Sequence, residues 1–204
     1  MVNNTRRLLV ATHNKGKVAE YADILGDMAI DWLTLDDAGV TEDVDETGAT
    51  FRDNAILKAQ AYARQTGLLT LADDSGLEVD ALGGQPGVLT ARYGGPGLSA
   101  ADRYRLLLAN LSNVPAERRT ARFHCVVAVV APDGALLGTA DGVCEGVIAW
   151  EPVGEGGFGY DPVFFLPGRE QTMAQLDAAE KHRISHRGRA AAAIAPLLRS
   201  LVVA

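Results

Sequence analysis

Two lysines and a glycine lie in the six-residue segment Thr12 to Lys17, which follows the apolar run Leu8 to Ala11. The run is typical of a buried strand, and a helical pattern begins after the segment. Free backbone N–H groups and the helix dipole at such a start attract anions, and lysine side chains add positive charge. The segment therefore fits a phosphate-binding loop, although it lacks the glycine spacing of a Walker A sequence. A plain helix cap made by Thr12 or Asn14, with the lysines in solvent, fits the same residues equally well.

A pair of adjacent carboxylates, Asp73 and Asp74, follows the apolar run Leu68 to Ala72. We expect the strand to end here, and α/β sheets bind ligands at the carboxyl ends of their strands. Adjacent residues of an extended chain point to opposite faces, so one carboxylate can face a ligand while the other orients the loop. Glu46 lies just before a helix and adds another carboxylate. Carboxylates near phosphates suit Mg²⁺, whereas the alternative is an ordinary Asp-rich turn.

An aromatic residue stands in a glycine-rich loop, where residues 158–162 read Phe-Gly-Tyr-Asp-Pro. An exposed ring on such a loop can stack on a flat base. The alternative is a hydrophobic plug that anchors the loop to the core, and without further context the plug is the simpler interpretation.

A basic segment spans Lys181 to Arg189, and Ser185 within it is a good helix N-cap. His186, Arg187 and Arg189 then occupy or follow the first helical turn. Cations there oppose the helix dipole by roughly 0.3–1 kcal/mol each when exposed. An anionic or carbonyl-bearing ligand removes that conflict, so we predict a ligand-binding role for this segment.

The composition limits the class of protein. The chain has 204 residues, 48% of them hydrophobic and 22% charged, as in an ordinary globular protein. A net charge of −7 argues against a nucleic-acid or anionic-membrane partner, because both need a basic surface. Cys125 and Cys144 lie in apolar stretches and are predicted to be buried thiols. The apolar run near the N-terminus is too short for a signal peptide or a membrane span, so we expect a cytoplasmic protein.

Strands and helices must alternate to position these residues. Apolar runs predict strands at Leu8–Ala11, Ile30–Leu35, Leu68–Ala72, Arg122–Ala131, Leu136–Ile148 and Val163–Leu166. Helical patterns cover Val18–Leu25, Thr50–Gln65, a segment from Ser99 or Asp102 to about Leu111, and about Ser185–Leu201. The turn sequence Pro132-Asp133-Gly134 joins two of the strands in a hairpin. The order predicts an α/β fold with a mixed sheet.

Five segments, taken together and in order, resemble the inosine/xanthosine triphosphate pyrophosphatases, also called Ham1-like or non-canonical purine NTP pyrophosphatases. They are residues 11–17, residues 46–51 with 54–59, residues 73–77, residues 158–162 and residues 185–188. Each segment alone is weakly diagnostic, whereas five in this order across nearly the whole chain are specific.

The resemblance implies an elongated α/β fold, in which residues 1–204 form a single ITPase-like domain. Two lobes would surround a long mixed sheet flanked by helices, with a nucleotide-binding cleft between them. The resemblance also implies a homodimer that uses Mg²⁺. The reaction would convert a purine nucleoside triphosphate into the monophosphate and pyrophosphate. Preferred substrates would be ITP, dITP and XTP, so that the enzyme removes deaminated purines from the nucleotide pool.

The resemblance further implies a role for individual residues. Asp74 would be the general base and also contact the metal, with Glu46 as the second carboxylate on the metal. The implied substrate-binding residues are Thr12, His13, Asn14, Lys15, Gly16 and Lys17 around the triphosphate, Lys58 near the phosphates, Ser75, Phe158 against the base with Gly159, Tyr160 and Asp161 beside it, Lys181 at the base or sugar end, and His186 and Arg187 at the 6-oxo group. Within the loop, Asn14 and Lys17 are the strongest candidates, and the side chain of His13 has no separate role.

Three other functions fit parts of the sequence. A nucleotide-binding module without catalysis needs no carboxylates, so Asp74 and Glu46 argue against it. An enzyme of the same fold with another nucleotide preference, such as a pyrimidine-directed septum-inhibitor-like pyrophosphatase, is not expected to carry residues 185–188 as they stand here. The third is a phosphatase that releases orthophosphate, and analysis of the products distinguishes it from a pyrophosphatase.

Overall fold

The structure is a computed structural model, which describes residues 6–26, 28 and 30–203. The strands are β1 (Arg6–Val10), β2 (Ile30–Leu33), β3 (Leu69–Val79), β4 (Thr120–Val130), β5 (Leu136–Ile148), β6 (Phe164–Leu166) and β7 (Gln171–Thr172). The α-helices are α1 (Lys15–Leu25), α2 (Phe51–Thr66), α3 (Ala100–Asn110), α4 (Ala178–Ile184) and α5 (His186–Val203). Short 3₁₀ helices cover Asp80–Leu82, Gly87–Arg92, Ala116–Arg118, Asp161–Val163, Pro167–Arg169 and Met173–Gln175.

The strands form one seven-stranded sheet in the order β2-β1-β3-β4-β5-β6-β7. Strand β1 pairs in parallel with β2 and with β3, whereas β6 pairs antiparallel with β5 and with β7. The predicted α/β fold with a mixed sheet is therefore confirmed. No helix among the described residues is long and apolar enough to cross a membrane.

The chain divides into two compact units, each with its own core. The first comprises Met1–Asp74, Cys125–Gly142 and His186–Ala204, and the second comprises Ser75–His124 and Val143–Ser185. In the first unit, buried side chains of β1, α1, β3, β4 and α5 pack together. In the second, the core joins β3, α3, β4 and β5 to the segment from Tyr160 to Met173.

Local sequence signals explain where two helices begin. The side chain of Thr50 caps α2 by accepting a hydrogen bond from the N–H of Asp53, and α2 ends at Gly67, whose φ of +66° suits glycine. Ser99 caps α3, and Asp102 completes a reciprocal capping box with it. Both residues that we considered as the start of α3 therefore belong to its cap.

One predicted boundary is wrong, and one helix was not predicted. Strand β3 does not end at Ala72 but continues to Val79, so that Asp73 and Asp74 lie inside it. Residues 69–79 are mostly buried, and this tertiary burial overrides the turn propensity of Asp-Asp-Ser-Gly. Helix α4 was not predicted, since its seven residues show too little periodicity.

Candidate active site

The predicted phosphate-binding loop leads from β1 into α1. The side chain of Asn14 caps α1, accepting hydrogen bonds from the N–H groups of Gly16 (3.0 Å) and Lys17 (3.3 Å). The N–H of Asn14 donates in turn to the hydroxyl of Thr12 at 3.1 Å. Asn14 thus makes the helix cap that we considered as the alternative. The cap also fixes the shape of the loop. Binding of phosphates at this loop stays a prediction.

Two other loop residues differ in what the structure describes. The imidazole of His13 lies between two exposed carboxylates, with Nδ1 3.9 Å from Asp36 and Nε2 3.7 Å from Asp43. Both carboxylates belong to the segment after β2, and exposed contacts of this length contribute about 1 kcal/mol or less. The side chain of Lys15 lies outside the described part of the chain, and only its backbone at the start of α1 is placed.

The two aspartates of β3 face different neighbours, as an extended strand requires. Asp73 is fully buried and accepts a charged contact from Lys17 Nζ at 3.0 Å and another from Arg187 Nη2 at 3.4 Å. Burial alone would raise the pKa of Asp73. The charges of Lys17 and Arg187 lower this pKa by more than burial raises it, so the carboxylate stays ionised. Asp73 therefore connects the start of α1 to the start of α5.

Asp74 belongs to a separate cluster with α2 and the segment before it. Lys58 Nζ donates to Glu46 Oε1 at 2.6 Å and lies 3.6 Å from Asp74 Oδ1. Asn54, one helical turn before Lys58, donates from Nδ2 to Asp74 Oδ2 at 3.1 Å. Burial and the nearby charge of Glu46 raise the pKa of Asp74, although Lys58 lowers it in part. A carboxylate held in place beside a lysine can accept a proton from a neighbouring water molecule.

The segment that carries Glu46 is held by a close approach at Gly48. The N–H of Gly48 donates to Asn54 Oδ1 at 2.7 Å. A Cβ atom at Gly48 would lie 2.6 Å from that same oxygen, so only glycine fits here without displacement. The amide of Asn54 thus orients Glu46 through the backbone and Asp74 through its carboxylate.

These two carboxylates fit a metal ion shared with a substrate. Among the described residues, no three His, Cys, Asp or Glu side chains gather into a group that would hold a metal by themselves. Mg²⁺ does not need such a cage, because it keeps several waters and binds one or two carboxylates together with substrate phosphates. Glu46 and Asp74 offer that donor set beside a cationic side chain.

The basic segment has a different charge balance from the one we expected. Arg187 is buried and donates from Nη1 to Glu20 and from Nη2 to Asp73. For Arg187, the carboxylates of the protein itself therefore offset the conflict with the helix dipole, and at this residue the conflict no longer argues for a ligand. His186 is also buried. Whether either side chain contacts the 6-oxo group stays a prediction.

In the second unit, three of the residues predicted to lie at the base or sugar form a connected group. Lys181 Nζ contacts Asp161 Oδ2 at 2.9 Å and lies 4.6 Å from the centre of the Phe158 ring. Asp161 Oδ2 also accepts a hydrogen bond from the N–H of Phe158 at 2.8 Å. Phe158 is 37% exposed, more than a hydrophobic plug in the core would be, and its stacking on a base stays a prediction.

The neighbours of Phe158 complete this group. Tyr160 is the residue that anchors the loop to the core, because it is buried and donates to the carbonyl of Thr90 at 3.0 Å. Burial raises the pKa of Tyr160 to about 12, so it remains a phenol at neutral pH. Gly159 has a φ of +66°, which favours glycine at this turn. Ser75 follows Asp74 in β3 and is half-buried.

Two residues of these clusters had no role in our sequence-based prediction. Asn54 lies four residues before Lys58 on the same helical face, and that spacing was a usable signal. Glu20 lies in α1, 167 residues away from its partner Arg187, and no local pattern indicates such a pair.

Comparison with known proteins places these residues in a family. The Ham1 family matches residues 8–197. The chain is 49% identical over 185 residues to the dITP/XTP pyrophosphatase of Geobacillus kaustophilus (strain HTA426), covering 91% of this chain and 90% of that protein. It is 50% identical over 184 residues to the dITP/XTP pyrophosphatase of Desulforamulus reducens, covering 90% and 91% respectively.

Solved structures give the same result for the fold. A HAM1 protein from Coxiella burnetii superposes with a TM-score of 0.88 and 42% identity, covering 96% of this chain and all of that one. Since the match extends over almost the full chain in sequence and in structure, this chain belongs to the Ham1 family.

Proposed function

We propose that this protein hydrolyses the non-canonical purine nucleoside triphosphates dITP, ITP and XTP to the monophosphate and pyrophosphate. The Glu46–Lys58–Asp74 cluster carries the proposal, because it places two carboxylates and a lysine ammonium group together in one largely buried site. The relatives named dITP/XTP pyrophosphatase, about half identical over nine-tenths of the chain, support the choice of substrate.

Asp74 would accept the proton of the water that attacks the α-phosphorus. Lys58 and Lys17 would offset the negative charge that develops on the pyrophosphate leaving group. Glu46 and Asp74 would hold Mg²⁺, which would add positive charge against the phosphates. Asn54 would keep the Asp74 carboxylate in place through its hydrogen bond to Oδ2.

Base selection would depend on the residues predicted for the base. Phe158 would stack on the purine, and Lys181 would contact its edge or the sugar. Hypoxanthine and xanthine carry an oxygen at position 6, which accepts hydrogen bonds from His186 or Arg187. Adenine carries a donor there and would leave those groups without an acceptor. Pairs of this kind discriminate by about 1–3 kcal/mol.

The remaining expectations belong to the same proposal. The homodimer, the cytoplasmic location and the nucleotide cleft between two lobes stay predictions from the sequence. The proposed partner of the protein is a purine nucleoside triphosphate, without nucleic acid or membrane.

The test is hydrolysis of dITP, XTP, dGTP and dATP with Mg²⁺, with pyrophosphate resolved from orthophosphate. We expect pyrophosphate from dITP and XTP at rates far above those from dGTP and dATP. Asp74→Asn should lower the rate by about 10²–10⁴-fold, as loss of a general base does. The control is Asp141→Asn, because Asp141 is an exposed partner of Arg52 that has no part in the proposed reaction.

Each of the other possible results would indicate a different function. Equal turnover of the four nucleotides would keep the enzyme class and remove the selective role. Orthophosphate as the product would indicate a phosphatase. No turnover of any nucleotide would leave a nucleotide-binding module.

A further inference from the structure

The ammonium group of Lys58 already contacts both carboxylates that the proposed function assigns to the metal ion. Its Nζ atom is 2.6 Å from Glu46 Oε1 and 3.6 Å from Asp74 Oδ1. The lysine side chain is 12% exposed, so little solvent screens these contacts. A cation therefore already lies beside the two carboxylates that the proposed function assigns to a divalent ion.

We propose that Lys58 competes with the divalent ion for Glu46 and Asp74, so that the ion binds well only after a triphosphate takes over the ammonium group. The inference rests on the proposed function, since it needs both the metal and the phosphates. Metal and nucleotide would then bind with positive coupling, and Lys58 would act against the metal in the free protein. This is opposite to the effect of a lysine that only helps to orient the metal ligands.

The carboxylates have other supports, so they can keep their places when Lys58 moves. Asn54 Nδ2 holds Asp74 at Oδ2, whereas Lys58 lies beside Oδ1. Asn54 Oδ1 holds the backbone at Gly48, two residues after Glu46. A lysine side chain has a flexible four-carbon stem and can turn its ammonium group towards a phosphate without movement of the helix. The arrangement therefore permits exchange of one cation for another.

The charges agree with a place-holding role for Lys58. The ammonium group of Lys58 lies against two carboxylates, and its side chain is largely shielded from solvent. Removal of the lysine leaves two carboxylates close together with less positive charge. Like charges of this kind attract a divalent ion and are stabilised by it.

The experiment measures binding of Mn²⁺ alone, without nucleotide, from the electron paramagnetic resonance signal of the free ion. Wild type, Lys58→Met and Lys58→Arg are compared. We expect Lys58→Met to bind Mn²⁺ about tenfold or more tightly than wild type, since a hydrogen bond between charged groups no longer opposes the ion. Lys58→Arg keeps a competing cation and should stay near wild type.

Two further variants distinguish local competition from a general charge effect. Lys17→Met also removes one positive charge, but Lys17 contacts Asp73 directly and reaches Asp74 only through its charge, so any gain in Mn²⁺ affinity should be much smaller than in Lys58→Met. Glu46→Gln added to Lys58→Met should abolish the gain. Equal or weaker binding in Lys58→Met, or the same gain in Lys17→Met, would overturn the proposal.

Two checks keep the outcome interpretable. If Lys58→Met is unstable without metal, its unfolding midpoint in rising Mn²⁺ gives the affinity instead, because a ligand of the folded state raises that midpoint. When inorganic tripolyphosphate is added to wild type, the mixture should bind more Mn²⁺ than the protein alone and the tripolyphosphate alone account for together. This extra binding should be smaller for Lys58→Met. Turnover of dITP is measured separately, so failure of the proposed function is distinguishable from failure of this inference.

Discussion

Asp73 and Asp74 are neighbours in the chain, yet they serve different clusters because β3 is extended. The charge of Asp73 is directed to Lys17 and Arg187, and Cys125 Sγ lies 3.7 Å from the same oxygen, Oδ2. A fully buried carboxylate between two cations stabilises both of them. Removal of one member of such a group leaves the others as uncompensated buried charges.

We predict that Asp73→Asn lowers the free energy of unfolding by about 3–5 kcal/mol, the usual cost of breaking a buried ion pair. Urea unfolding at neutral pH measures the change. Asp141→Asn is the matched control, because its pair with Arg52 is about half exposed and should contribute about 1 kcal/mol or less. Equal losses in the two variants would contradict a special role for Asp73.

The same substitution has a kinetic consequence that a double-mutant cycle detects. If Asp73 positions Lys17, then Asp73→Asn should lower kcat/KM for dITP in wild type but have much less effect in a Lys17→Met background. Additive effects would indicate that Asp73 acts only on the stability of the fold. This result does not depend on how stable each variant is, provided that all are assayed while folded.

The resemblance, rather than spacing alone, assigned Asp74, Glu46 and Lys58 to one site. The structure brings their side chains together, while their roles stay predictions. The alternation of a strand predicted two faces for Asp73 and Asp74. Glu20 was beyond reach, because a pair separated by 167 residues depends on tertiary packing alone.

At the scale of elements, the position of α5 decides where His186 and Arg187 lie. Gly142 of β5 packs directly against the first turn of α5. A Cβ atom at Gly142 would lie 2.1 Å from the carbonyl oxygen of His186 and 2.4 Å from the nitrogen of Ala190. Backbone atoms cannot rotate away as a side chain can, so the helix would have to shift.

We predict that Gly142→Ala destabilises the protein by about 1–3 kcal/mol, the usual cost of overpacking. It should also reduce the preference for dITP over dGTP and dATP, because the shift displaces the predicted base-reading residues. The control is Gly168→Ala, since a Cβ at Gly168 meets nothing within 4 Å. Unchanged selectivity in Gly142→Ala would show that the start of α5 does not contact the base.

Element boundaries were less predictable than element types. The strands and helices that we expected are all present, but the turn-forming residues after Ala72 concealed the continuation of β3 to Val79. Burial on both faces, rather than local propensity, keeps these residues extended. Helix α4 ends at Ile184, and only Ser185 separates it from α5. We interpreted Ser185 as the start of a helix and therefore did not recognise that another helix ends there.

At the scale of the whole molecule, buried acids that are neutral in the folded state make stability depend on alkaline pH. Burial raises the pKa of the Cys125 thiol to about 12 and that of the Tyr160 phenol to about 12, and it raises the pKa of Tyr21 as well. The folded state therefore holds these protons more tightly than the unfolded chain. The stabilisation is complete below the unfolded pKa of each group and is lost as the pH rises through the folded pKa.

We predict that the free energy of unfolding falls as the pH rises above 9, the ordinary pKa of the Cys125 thiol, and continues to fall to about 12. One such group contributes a slope of about 1.4 kcal/mol per pH unit in this range. Urea unfolding measured at intervals from about pH 8 to about pH 10.5 should give a shallower slope for Cys125→Ala than for wild type.

The control for this slope is Val127→Ala, which removes buried atoms two residues further along β4 without a titrating group. It should lower stability by the same amount at every pH, because cavity formation binds or releases no proton. Parallel curves for wild type and Cys125→Ala would show that the thiol ionises as readily in the folded protein as in the unfolded chain. The contact of Cys125 with ionised Asp73 opposes that outcome, because a thiolate would place a second negative charge against a carboxylate in the same core.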